Sequence, residues 1–242
     1  MPGQPSLALV TGAAHRLGKG IAMGLARAGY AIGMHYHQSD QSARQTEAEI
    51  AALGVPVIPL RADLTDETQI NALFTEVDRH PYRLHVLVNS AGVMPKGDLR
   101  TIEAAQWDAT LSLNLRAPWL CARYAAQRMA SGGGVIINIS DAGVQRAWTG
   151  YAAYLVSKAG LEMLTRLLAR SFAPAIRVNA LAPGLILSSE HLADHEWQRL
   201  VERLPLKKSG DVADIVQAVM FLINNPYITG QTLVVDGGYQ LV

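Results

Sequence analysis

Short apolar runs of strand length alternate with longer stretches of helical periodicity along almost the whole chain, and this alternation is what most restricts the fold. "LALV" (7–10), "YAIGMHY" (30–36), "VPVIPL" (55–60), "HVLV" (85–88), "GVIINI" (134–139), "AIRVNAL" (175–181) and "TLVV" (232–235) read as seven strands. Most are uninterrupted and rich in β-branched residues, the pattern of strands buried on both faces of a parallel sheet. Helical segments fall near 18–29, 41–53, 67–79, 103–130, 151–172 and 211–224. Thr65–Asp66 supplies an N-cap for the third, and Gly29 and Gly54 stand where helix C-caps are wanted. Together these predict one α/β domain over residues 1–242, a doubly wound parallel seven-stranded sheet with helices on both faces and right-handed crossovers.

Half of the 242 residues are hydrophobic and 17% are charged, enough apolar material for a sizeable core. A net charge of +1 offers no basic field to a nucleic acid. The single cysteine, Cys121, excludes a disulfide framework and a cysteine-rich metal site; in its apolar helical stretch it reads as a buried thiol. "MPGQPSLALV" lacks a basic leader region, and the longest apolar runs, "VIINI" and "LAPGLIL", are far too short to span a membrane. The expectation is a soluble, cytoplasmic protein with no nucleic-acid, membrane or metal partner. Residues 185–208 break the pattern, mixing Ser188, Ser189, His191, His195 and Trp197 with Pro205. They read either as an active-site lid or as a short helix with a solvated polar face.

The turn after the first strand is "TGAAHRLGKG" (11–20). Gly12, Gly18 and Gly20 permit positive φ there and let backbone N–H groups approach a pyrophosphate at the start of the next helix. The strand–turn–helix context gives weight to a glycine pattern that is weak alone. The end of the second strand selects the dinucleotide, because an acid there binds the ribose 2′-OH of NAD and repels a 2′-phosphate. Here the segment is "MHYHQSD": no acid precedes Asp40, and His37, Gln38 and Ser39 are donors suited to phosphate oxygens. The predicted cofactor is NADP(H).

Tyr154 and Lys158 are four apart within 151–172 and share one helix face. An ammonium near a phenol favours phenolate, and such a phenol serves as general acid toward a carbonyl or imine reduced by hydride. The pair alone is common; its company is not. "TGAAHRLG", "NSAG" (89–92), Asn114 in "LSLNL", "INISD" (137–141), "YLVSK" (154–158) and "LAPG" (181–184) follow in that order. Over the full chain this set resembles the short-chain dehydrogenase/reductase family, which implies a single-domain Rossmann-type fold and a small-molecule substrate. The resemblance implies that Tyr154 is the proton donor, that Lys158 binds the nicotinamide ribose and lowers the tyrosine pKa, and that Asn114 holds a structural water in the proton relay. It also places Gly12, Arg16, Leu17, Gly18, Asp63, Leu64, Asn89, Ala91, Gly92, Pro183, Gly184 and Ile186 around the cofactor. Asp63 would contact adenine, and Pro183 and Gly184 would flank the carboxamide. A homotetramer built from helices 103–130 and 151–172 and the C-terminal "VDGGYQLV" is implied as well.

Departures from the family pattern narrow the subgroup. The family's catalytic serine lies 13 residues before the tyrosine, and that position holds Asp141; a one-residue shift would make Ser140 the serine. Arg16 in the turn together with Asp141 is similar to the pteridine reductases, including the bacterial dihydromonapterin reductases, as is "HYHxS", with Gln38 where arginine is common. In that subgroup the arginine bridges cofactor phosphates and pterin, a use that suits a planar donor fork. A carboxyl beside the tyrosine suits C=N reduction, because the ring nitrogen must receive a proton. Met94 stands where an aromatic residue sandwiches the pterin, and "NSAG" is nearer to the broader family. Methionine packs on rings through its polarizable sulfur, so a smaller or non-pterin substrate stays open. Trp148 and Trp197 read as other aromatic walls or as core residues.

The expectation is an NADPH-dependent reductase of a C=N bond in a pterin-like substrate, with Arg16, Met94, Asp141 and Tyr154 on the substrate side. A carbonyl reductase of the 3-oxoacyl-carrier-protein type would prefer serine at 141 and have little use for Arg16. A non-catalytic NADP(H)-binding regulator would not need the Tyr154–Lys158 pair and Asn114.

Overall fold

The structure, a computed structural model, describes residues 6–188 and 192–242. Ser6–Val10 (β1), Ala31–Tyr36 (β2), Val57–Arg61 (β3), Arg83–Asn89 (β4), Gly134–Ile139 (β5), Ile176–Pro183 (β6) and Thr232–Val235 (β7) form one sheet. Its order is β3-β2-β1-β4-β5-β6-β7 and every pair is parallel, as the strand–helix alternation predicts. The chain builds outward from β1 to β3 and then returns to the other side of β1 with β4. Such a switch point opens a crevice at the carboxyl ends of the strands.

The helices are Arg16–Arg27 (α1), Asp40–Ala51 (α2), Glu67–Asp78 (α3), Ala104–Leu111 (α4), Ala117–Met129 (α5), Ala152–Phe172 (α6), Asp194–Arg203 (α7) and Val212–Asn224 (α8). Ile21, Leu25, Ile50, Ile215 and Val219 of α1, α2 and α8 pack on one face of the sheet, against Val10, Ile32, Val86 and Ile137. Phe74, Leu120 and Leu168 of α3, α5 and α6 pack on the other, against Leu9, Leu87 and Ile136. Alternate residues of β1 thus feed opposite cores, which accounts for its unbroken apolar sequence. Edge strand β3 is buried on alternate residues and carries Pro59, tolerated because β3 pairs with β2 alone. Asp66 caps α3 by accepting from the Thr68 N–H, and Gly29 and Gly54 take positive φ after α1 and α2, as expected. Cys121 is buried, and burial pushes its thiol up to about 12.

Two segments differ in detail from expectation. Residues 103–130 are not one helix, because a π-turn over Ser112–Arg116 separates α4 from α5. Pro118 has no N–H to give the Asn114 carbonyl four residues earlier, so the regular ladder fails there. Within 185–208, α7 presents a largely exposed surface and buries Val201, with Leu204 just beyond it. Ser189 and His191 lie outside the described residues. No described helix is long and apolar enough to cross a membrane.

Candidate active site

A cavity of about 880 Å³ occupies the crevice at the sheet's switch point. Gly12, Arg16, Leu17, Gly18, His37, Gln38, Ser39, Asp63, Leu64, Ala91, Gly92, Met94, Asp141, Tyr154, Lys158, Pro183, Gly184 and Ile186 all line it. Asn89 does not, contrary to expectation. It is buried behind the wall, where its amide donates to Asn138 Oδ1 at 2.8 Å. Asn114 is fully buried as well: Oδ1 accepts from the Val93 N–H at 2.9 Å, while Nδ2 donates to Val93 O at 2.8 Å and Ser157 Oγ at 3.1 Å. Its side chain therefore fixes the backbone just after Gly92.

Gly12 is the pivot of the turn after β1. Its φ is +66°, and a Cβ there would sit 2.9 Å from Ala91 Cα. Thr11, which sequence reasoning passed over, enforces that approach by accepting from the N–H groups of Ser90 and Ala91, each at 3.0 Å. Neither Gly18 nor Gly20 takes the positive φ expected of it, although Gly18 lines the cavity. A Cβ on Gly18 would strike the Gly12 carbonyl oxygen at 2.1 Å, and one on Gly20 would meet Val212 of α8 at 2.1 Å. Gly20 is thus a helix-packing residue. Arg16 adopts φ 51°, which costs an L-residue about 1–2 kcal/mol. Its exposed guanidinium crosses the cleft mouth and donates from Nη2 to Ser188 O at 2.8 Å.

At the ends of β2 and β3, a buried histidine braces the same turn. His35 Nδ1 accepts from the Gly12 N–H at 3.1 Å, so Nε2 carries the proton toward Ala62 O, also at 3.1 Å. Burial keeps this ring neutral and pulls its pKa down to about 4. His37, Gln38 and Ser39 form the outer turn. Arg61 reaches that turn from β3: Nε donates to His37 O at 3.1 Å, and Nη1 lies 3.8 Å from the Asp40 carboxylate. A cation absent from position 38 thus stands one strand away. Asp63 turns its carboxylate onto the N–H and hydroxyl of Thr65, at 2.9 and 2.8 Å, which holds it below the usual range.

The helix face of Tyr154 and Lys158 closes the other end. The Tyr154 hydroxyl donates to Asp141 Oδ2 at 2.6 Å, and the Gly143 N–H donates to Asp141 Oδ1 at 2.6 Å. Ser140 Oγ instead donates to Glu162 at 2.8 Å, so Asp141 and not Ser140 meets the tyrosine. Tyr154 is pushed well above its ordinary value, by burial first and then by the Asp141 charge. That corrects the expected lowering by Lys158. The ammonium donates to Ile139 O at 2.7 Å, stands 5.8 Å from the phenol ring centroid, and is itself brought to about 8 by burial. Burial also raises Asp141, against the opposing hydrogen bonds from Tyr154 and Gly143 and the Lys158 charge. Met94 stands half exposed on the rim. Trp148 packs edge-on against Tyr151 and Tyr239 over Gly143, and Trp197 is half-buried on α7; neither lines the cavity.

A parallel sheet in this order, with a glycine turn at its switch point and a tyrosine–lysine helix face in the cleft, defines an oxidoreductase of the Rossmann type. A family model described as enoyl-(acyl carrier protein) reductase matches residues 12–240. The 3-oxoacyl-[acyl-carrier-protein] reductase FabG of Staphylococcus aureus is 36% identical over 237 residues, covering 96% of each chain. The uncharacterized oxidoreductase YgfF of Escherichia coli is 32% identical over 245 residues, 96% of this chain and 99% of its own. Among solved structures, FolM alternative dihydrofolate reductase 1 from Brucella canis, complexed with NADP, matches with a TM-score of 0.93 at 30% identity, over 98% of this chain and 94% of its own. The chain belongs to the short-chain dehydrogenase/reductase family.

Proposed function

We propose that this oxidoreductase is an NADPH-dependent reductase of a C=N bond in a pterin-like ring. The observation that carries the reading is the 2.6 Å hydrogen bond from Tyr154 to Asp141, in a cleft whose mouth is crossed by Arg16. The residues present fit NADP(H). Gly12 leaves no room for a Cβ beside Ala91; His37, Gln38 and Ser39 offer donors, and Arg61 offsets the nearby Asp40 carboxylate. When bound, the reduced cofactor supplies the hydride.

The chain's own part is to hold and deliver the proton. Asp141 and Tyr154 form one hydrogen-bonded pair, and burial raises the carboxyl so that it takes up a proton more readily than an exposed aspartate. The pair then yields a proton from Tyr154 Oη to the ring nitrogen. Lys158, anchored to Ile139 O, keeps a cation beside the anion left behind. The Asn114 carbonyl has no α-helical donor at Pro118, which supports a role for it in holding a structural water. Arg16 offers its fork to phosphate and its planar face to the ring. This reading also takes 1–242 as one catalytic domain, 185–208 as a cover over the substrate side, and the enzyme as a cytoplasmic homotetramer.

Because the protonated pair is the working form, turnover falls as pH rises through the elevated pKa of the pair, and a pH–kcat profile shows this limb. The likeness to FolM alternative dihydrofolate reductase 1, solved with NADP, supports the reading. The identity to FabG and the half-exposed Met94 favour a second one, reduction of an acyl-thioester ketone. Purified protein with NADPH is expected to turn over dihydrobiopterin or dihydromonapterin much faster than acetoacetyl thioesters, and to favour NADPH over NADH. The reverse substrate preference overturns the pterin assignment and leaves the family untouched.

A further inference from the structure

Tyr154, Lys158 and Glu162 lie on successive turns of one face of α6, and together they hold three successive residues at the end of β5. Tyr154 bonds the Asp141 carboxylate at 2.6 Å, Lys158 bonds the Ile139 carbonyl at 2.7 Å, and Glu162 Oε1 accepts the Ser140 hydroxyl at 2.8 Å. Ser140 and Asp141 are adjacent residues just beyond β5, and their side chains bond groups two turns apart on α6. A hydrogen bond to each prevents that end from rotating about its axis. We propose that Glu162 is a positioning residue: through Ser140 it fixes the end of β5 so that Asp141 meets the Tyr154 hydroxyl.

The surroundings suit that task. Ser140 is 3% exposed, and its backbone N–H already donates to Leu181 O at 2.7 Å. Its hydroxyl therefore needs an acceptor inside the protein, and a carboxylate makes the stronger bond. Glu162 is half-buried, with Arg166 and Asp141 as its charged neighbours, and burial raises its carboxyl above the ordinary range. An apolar residue at this position would leave the Ser140 hydroxyl without its partner.

The inference rests on Asp141 and Tyr154 being the proton-handling pair, and the test separates the two. Wild type, Glu162→Leu, Glu162→Gln, Ser140→Ala and Asp141→Asn are assayed with NADPH and whichever of dihydrobiopterin and acetoacetyl thioester the wild type turns over faster. Glu162→Leu is expected to lower kcat about tenfold, one lost hydrogen bond in the proton-transfer geometry, with the KM for NADPH unchanged. Glu162→Gln keeps an acceptor oxygen and restores kcat to within about threefold of wild type. Ser140→Ala reproduces the Leu variant and covers the case in which that variant does not fold. Wild-type kcat in both Glu162→Leu and Ser140→Ala, with Asp141→Asn impaired, overturns the role of Glu162 alone. Full activity in Asp141→Asn overturns the pair on which it rests.

Discussion

At the β5–α6 end of the cleft Tyr154 and Lys158 are buried, held by the Asp141 carboxylate and the Ile139 carbonyl, whereas at the β1–β2 end the cations Arg16 and Arg61 are exposed to solvent and rest on the carbonyls of Ser188 and His37. The two ends consequently work by different physics. Burial shifts Asp141, Tyr154 and Lys158 from their ordinary acidities, which is the equipment for moving a proton. At the other end, geometry is carried by backbone: the positive φ of Gly12, the close approach of Ala91, and a neutral His35 that braces both the turn and β3. Charges left in solvent there are available to an anionic ligand and remain screened by salt. Substitutions at the buried end should therefore act on kcat, and those at the exposed end on cofactor KM.

The largest effect is expected for Tyr154→Phe, which removes the proposed proton donor while preserving the ring. It should lower kcat by about 10³ with little change in the KM for NADPH. A rise in KM with kcat intact would erase the distinction between the two ends. His35 tests the bracing. Its folded pKa of about 4 lies below the ordinary 6.5, so the unfolded chain binds the extra proton between those values. Stability is then fully present above about pH 6.5 and is lost as pH falls toward 4, by about 3 kcal/mol in total. Urea unfolding of wild type and His35→Gln across that range measures it; equal pH dependence in both would remove His35 as the cause. Arg16→Met should raise the KM for NADPH about tenfold, one charge-assisted contact. Arg61→Gln should raise it only about threefold, as befits an exposed cation, and leave the KM for NADH unchanged. A larger effect of Arg61 than of Arg16 would move the main phosphate contact from the glycine turn to β3.

What was legible in the sequence follows from how local each signal is. The strands and most helices show in their own periodicity, and the Tyr154–Lys158 face follows from a spacing of four on a helix. Counting back from Tyr154 to Asp141 placed the carboxylate where the structure finds it. Most of the misses involve a partner on a distant element. Gly20 belongs to a contact with Val212, nearly the whole chain away. Arg61 reaches the β2 turn because β3 pairs beside β2, a neighbour relation that strand sequences do not encode singly. His35 and Glu162 are ordinary residues until the fold brings Gly12 and Ser140 to them. The π-turn was hidden because apolar periodicity runs on through 103–130, although Pro118 marks where the ladder fails. The acidity of Tyr154 was misjudged for a related reason: spacing shows that Lys158 is near, but not that burial outweighs it.

Imine reduction, as proposed for this cleft, depends on Asp141 beside Tyr154. Its most direct measurement is the ratio of dihydropterin to acetoacetyl thioester turnover with NADPH, in wild type and in Asp141→Ser. The predicted result is a fall of about 10² in that ratio, because a serine beside Tyr154 sustains ketone reduction but does not hold the proton that the Asp141–Tyr154 pair is proposed to pass through Tyr154 to the ring nitrogen. An unchanged ratio, with both activities falling together, would contradict that role and make the carboxylate a structural anchor for Tyr154.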